Sequence, residues 1–187
     1  MYTKWISIGV VAAIILWVIS AYNRLIALKN QTLNNWKQID VQLKRRHDLI
    51  PNLIETVKGV MKFEQTTLAQ VVEARSRAMS AQGVSEKAEK ENALTSTLRH
   101  LFALTENYPN LKSNENVSRL QEELSTTENK ISFARQFYND VATQFNIAQQ
   151  SFPTNLIARI FSFKPAELFE IIDPEEREVP KVNLDLK

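Results

Sequence analysis

The apolar positions of this chain change rhythm along its length. From Trp5 to Tyr22 the run WISIGVVAAIILWVISAY carries no charge over eighteen residues. As a helix it rises about 27 Å, close to the ~30 Å hydrocarbon layer of a bilayer. Trp5, Trp17 and Tyr22 place aromatic rings toward its two ends, and such rings favour the membrane interface. A cleaved signal peptide is the competing reading. Against it, only Lys4 precedes the run, and Ile19-Ser20-Ala21 offers a bulky residue where cleavage wants a small one. The run is expected to be a retained transmembrane anchor.

From Trp36 the apolar residues return every seven positions: Trp36, Leu43, Ile50, Val57, Glu64 and Val71 in one set, Ile39, Arg46, Leu53, Val60 and Thr67 in the other. Ile54, Met61 and Leu68 widen the stripe, as on a bundle helix. The pattern predicts one helix from the anchor to about Met79, with a break over residues 80–85 at Gly83. A second helix is expected over Ser85–Asn107, ended by Tyr108-Pro109-Asn110 because proline cannot continue it. In the third, Val117, Leu124, Ile131, Tyr138, Phe145 and Phe152 are spaced by seven, with Leu120, Thr127, Ala134, Val141 and Ala148 between them. That is the seam of a long packed helix. A short fourth helix is expected over Asn155–Phe163.

Composition narrows the class. The chain has 187 residues, with 3 Gly and 6 Pro, too little turn punctuation for a sandwich, a barrel or a Gly-rich nucleotide fold. It has no Cys and 2 His, which excludes disulfides and thiolate metal sites and leaves little for a His-based triad. A carboxylate metal site in a bundle would want Glu three residues before His, but Lys44 precedes His47 and Thr97 precedes His100. A net charge of +2 gives no reason to expect nucleic-acid binding. The expected fold is all-α: a single N-terminal transmembrane helix, then an antiparallel up-and-down bundle of three long helices and a short fourth. The expected division is a flank at residues 1–4, the anchor at 5–22, the bundle at 23–164, and an acidic, Pro-containing tail at 165–187, mostly unpacked. Val182, Leu184 and Leu186 alternate in that tail and allow a short extended docking segment.

The stretch Ile39-Asp-Val-Gln-Leu-Lys-Arg-Arg-His-Asp-Leu-Ile-Pro-Asn-Leu-Ile-Glu-Thr-Val-Lys58 resembles the signature of the LemA family. The likeness continues at Glu64, Arg77-Ala78, Tyr108-Pro-Asn-Leu-Lys112, Glu128-Asn129, Ala134-Arg135, Tyr138-Asn139, Val141, Asn146 and Phe152-Pro153. His47 and Val60-Met61 depart mildly from it, at packing positions. The resemblance implies one N-terminal anchor and an up-and-down helical bundle related to the bromodomain fold. It implies no catalytic activity, and it hints at association with membrane proteases, whose genes often accompany those of the family.

The charged residues admit two readings each. Lys44, Arg45 and Arg46, with Asp48 beside them, are ion-pair residues or a partner surface. Lys44 lies about 33 Å along a straight helix from Tyr22, several ~8 Å screening lengths from the lipid. Arg46 holds a seam position and, if buried, needs a carboxylate, for which Glu64 and Glu128 are the candidates. Pro51 should kink the helix by removing the bond to the His47 carbonyl. Glu128 with Arg135, and Asn139 with Asn146, stand seven apart on flanks of the third helix and suit internal bonding or a partner-binding stripe.

Leu25, Ile26, Leu28, Leu33 and Trp36 form an apolar strip just beyond the anchor. A second helix folding back would not reach it, so a homo-oligomer is expected to cover it. The alternative cover is helix three or the 155–163 segment of the same chain. Arg24, Lys29 and Lys37 follow the anchor while Lys4 and the amino group precede it, which places the bundle on the cytoplasmic side of the cell membrane. Catalytic, cofactor and metal residues are expected to be absent, as are nucleic-acid and small-molecule partners. The reading is a single-pass membrane scaffold or adaptor. A regulator or partner of a membrane-bound protease and a hydrolase hidden in the bundle are its alternatives.

Overall fold

Between Gly9 and Gly59 the chain contains no glycine and a single proline, so nothing but Pro51 opposes one long helix. A computed structural model describes residues 2–61 and 64–170 and shows that helix as α1, Tyr2–Lys58. Five more helices follow: α2 Gln65–Ser80, α3 Gly83–Thr105, α4 Pro109–Lys112, α5 Glu115–Gln150 and α6 Thr154–Ile160. Among the described residues there is no strand, and the fold is all-α. Pro51 removes one amide from the ladder of α1, yet the helix continues to Lys58.

The first helix does not reach Met79 as the sevenfold pattern predicts. Gly59 follows Lys58, and the amides of Val60 and Met61 both donate to the Val57 carbonyl, at 3.1 and 2.9 Å, tightening the final turn. The apolar phase survives the interruption, with Val57, Met61, Leu68 and Val71 all buried. Around Tyr108 the sequence reading is also corrected. Pro109 ends nothing there; it opens the single-turn α4 from its first position, where its fixed φ suits a helix start and its missing amide is not needed.

In α5 the seam is packed at Val117, Leu124, Ile131, Tyr138 and Phe145, with Thr127, Ala142 and Ala148 between them. Phe152 leaves the seam. It lies past the end of α5 and is 80% exposed. The helix starts cleanly because the Asn114 side-chain oxygen accepts the amides of Asn116 and Val117, at 3.0 and 3.4 Å, relieving amides that have no partner within the helix.

The described chain divides into two compact units. One comprises 2–49 with 122–169 and the other 50–121 with 170. In the first, α1 and α5 run antiparallel: Arg46 meets Glu128, Trp36 meets Tyr138, and Leu25 packs with Phe145 and Ala148. The second holds α2 and α3, packed together and joined by Ala81 and Gln82 alone. The Gln82 amide there donates to Glu86 at 3.1 Å. Tyr108 Oη donates to Glu64 at 3.2 Å, and Gln121 donates to Thr105 Oγ1 at 3.1 Å.

The expectation of an unpacked tail from residue 165 is corrected at Ala166–Phe169. Ala166, Glu167 and Phe169 bond through their backbones to side chains of α5, and Phe169 is fully buried. Residues 171–187, including Val182, Leu184 and Leu186, lie outside the described residues.

Candidate functional site

Two features of the first unit depart from simple core packing. The first is a clasp on α5. Asn146 donates from Nδ2 to the Ala166 carbonyl at 2.9 Å and accepts the Ala166 amide at 2.8 Å. Asn139 makes the same pair with Phe169, at 3.0 and 2.8 Å. Two asparagines seven residues apart on a helix are separated by about 10.5 Å of rise. Three extended residues span about 10 Å, so the amides meet positions 166 and 169 in register. Between them Tyr138 Oη donates to the Glu167 carbonyl at 2.7 Å. Burial, with the nearby Glu167 charge second, raises the Tyr138 pKa above 10.0, which keeps the phenol a donor at ordinary pH.

Phe169 then fills the space beside this ladder. Its ring lies 6.1 Å from Trp36, Trp36 lies 5.5 Å from Tyr138, and the Arg135 guanidinium sits 5.4 Å over the Phe169 ring. Arg46, 1% exposed, pairs with Glu128 at 2.5 Å. Of the two carboxylates considered for Arg46, Glu128 is the one that meets it, while Glu64 serves Tyr108. Lys44, Arg45 and Asp48 point to solvent.

The second feature is the base of α1. Ala21, Leu25, Phe145, Ala148, Ile157 and Ala158 form a buried cluster, with Val18, Tyr22, Leu28 and Phe163 packed against it. The apolar strip read as an oligomer surface is therefore covered within the chain. Leu25 is fully buried, Trp36 is half-buried with its ring tilted against Tyr138, Ile26 and Leu28 are half-buried, and only Leu33 is exposed. The reason is length. α5 is 36 residues long and carries α6 back to the level of Tyr22, which the shorter helix before it does not have to do. The argument for an oligomer from that strip falls with it. Above this cluster Trp5–Leu16 is exposed and almost wholly apolar, and α1 is the one described helix long and apolar enough to cross a membrane.

The sequence singles out Trp36, Arg135, Asn139 and Asn146 but not the segment they meet: Trp36, Arg135 and Asn139 meet Phe169, and Asn146 meets Ala166. Ala166 is held through its backbone, which carries no side-chain code, and Phe169 stands outside any helical repeat that would mark it as core. Among the described residues no group of three or more His, Cys, Asp or Glu is placed to hold a metal ion. In the second unit a groove of about 970 Å³ beside α2 is lined by Ile54, Met61, Leu68 and Val72 with Glu55 and Lys58.

The LemA family model matches residues 35–184. Protein LemA of Metamycoplasma hominis is 25% identical over 164 residues, covering 87% of this chain and 73% of that protein. Magnetosome protein MamQ 2 of Paramagnetospirillum magneticum is 23% identical, covering 88% of this chain and 70% of that protein. Magnetosome protein MamQ of Magnetospirillum gryphiswaldense is 21% identical with the same coverage.

Proposed function

The chain belongs to the LemA family, and from that membership we propose that it is a membrane-anchored helical scaffold that assembles other proteins at the membrane without catalysis. The observation that carries the reading is the continuity of α1. One unbroken helix leads from the exposed apolar stretch into the buried seam, so the bundle is held rigidly at the membrane instead of on a flexible tether. The family is not known for an enzymatic activity, and the MamQ relatives are named for a cellular body, not for a reaction. The contact face of the scaffold is the outer side of α5. Phe133 and Phe137 stand one turn apart there, 64% and 65% exposed, and large exposed aromatic pairs mark interaction surfaces.

A photoreactive residue placed at Phe137 in cells, with Ser76 in the second unit as control, tests this. The reading expects discrete adducts with a membrane protein from position 137 and none from Ser76. Adducts dominated by a membrane protease favour the regulator role. Absence of adducts at 137 contradicts the scaffold face.

A further inference from the structure

We propose that Phe152, Leu156, Ile160 and Phe161 form a foot that inserts into the lipid interface beside the anchor, giving the bundle a second membrane contact. The proposal rests on the reading of residues 5–22 as a membrane span. It goes beyond that reading because these four side chains belong to the folded domain.

The helix α6 is two-faced. Ile157 and Ala158 are buried against the base of α1. Leu156 and Ile160, four apart and therefore on one face, point away and are exposed, Ile160 by 71%. Phe152 before the helix and Phe161 after it are exposed as well. Among the described residues nothing covers this face, and water is a poor neighbour for four large apolar groups within ten residues.

Its position identifies the occupant. The Phe161 ring lies 4.7 Å from the Tyr22 ring, and Val18 packs against the same buried cluster as Ile157. Both α1 residues belong to the apolar run. The part of the apolar run from Trp5 to Trp17 that the bundle leaves bare supplies only about 20 Å of rise against the ~30 Å of hydrocarbon. The turn from Val18 to Tyr22 has to complete the span, and α6 is packed beside that turn. The outward face of α6 thus stands at the depth where hydrocarbon gives way to headgroups. Charge agrees with this placement. No acidic residue occurs between Asp140 and Glu167, while Arg159 and Lys164 are exposed on this segment. An apolar face flanked by basic residues suits the surface of a bilayer containing anionic lipid.

The chain has no Cys, so single spin labels can be placed freely. Phe152→Cys, Leu156→Cys and Ile160→Cys alter exposed positions of the full chain, reconstituted into vesicles of phosphatidylethanolamine and phosphatidylglycerol. Val10→Cys reports the span, and Ser76→Cys reports a water-facing site in the other unit. The expected result is a ratio of oxygen to nickel-chelate collisions at 152, 156 and 160 several-fold above that at 76 and approaching that at 10. Ratios equal to that at 76, with Val10 still deep, overturn the foot and leave the anchor standing. A water-accessible label at Val10 overturns the span and the foot with it. Low collision with both reagents, with spin–spin broadening that vanishes on dilution by unlabelled chain, seats a second copy on this face and also overturns the proposal.

Discussion

A guanidinium at a seam position has to bring its counter-charge with it. Arg46 is buried and Glu128 meets it from α5 with about a third of its own side chain in water. Removing one partner of such a pair costs more than removing both, because the survivor stays buried and uncompensated. Glu128→Gln is expected to cost about 2 kcal/mol, less than a fully buried pair because of Glu128's exposure. The double change Arg46→Met with Glu128→Leu should recover part of that loss in chemical unfolding of the micelle-bound protein. Simple additivity of the single costs would contradict the pairing. The Asn clasp yields a second expectation. Asn146→Ala removes two bonds to the Ala166 backbone, each worth about 1 kcal/mol net. Amide exchange at Ala166 should accelerate while that at Leu124 is unchanged. Tyr138 yields a third. Its pKa is raised above the ordinary 10.0, chiefly by burial, so its neutral donor form stabilises the fold below pH 10.0 and that contribution is lost as pH rises through the folded value. The difference in thermal stability between the native chain and Tyr138→Phe should hold up to pH 10.0 and narrow above it. A pH-independent difference would remove Tyr138 from the clasp. Arg46 and its need for a carboxylate could be read in the sequence, since a charge in an apolar stripe is conspicuous. The clasp could not, since Ala166 contributes only its backbone.

At the scale of elements, sevenfold spacing located the long helices well and their ends badly. The pattern carries from Val57 to Val71 with only Glu64 out of character, yet α1 ends at Lys58 and α2 begins at Gln65. A glycine weakens a helix by about 1 kcal/mol against alanine, and Gly59 was the available signal. The two connecting glycines differ physically. Gly83 holds φ +77° with open space around it, whereas Gly59 has open space without that constraint. Gly83→Ala is expected to destabilise by about 1 kcal/mol through backbone conformation alone. Gly59→Ala should be neutral or stabilising by up to about 1 kcal/mol. Equal effects of the two in thermal unfolding would refute the assignment of the left-handed position. The prolines divide: Pro51 sits inside α1, as the unbroken apolar pattern around it implies, whereas Pro109 begins α4 instead of only ending the helix before it, because a proline's effect depends on whether its missing amide was needed.

At the scale of the molecule, the all-α class and the apolar N-terminal helix were legible because both depend on periodicity and length. The way the anchor's base is covered was not. Helix lengths alone left the strip from Leu25 to Trp36 open, and the return of α6 to Tyr22 closes it. We propose the cytoplasmic side for the bundle from the excess of Arg24, Lys29 and Lys37 over Lys4. Protease added to intact spheroplasts should spare it, and digestion there would reverse the orientation. The central claim, that α1 is a retained anchor continuous with a folded bundle, is tested most directly by washing membranes with alkaline carbonate and weighing the chain that stays behind by mass spectrometry. The account predicts the full 21.5 kDa chain in the membrane pellet. A chain released to the supernatant, or one shortened by the length of the apolar run, would contradict it.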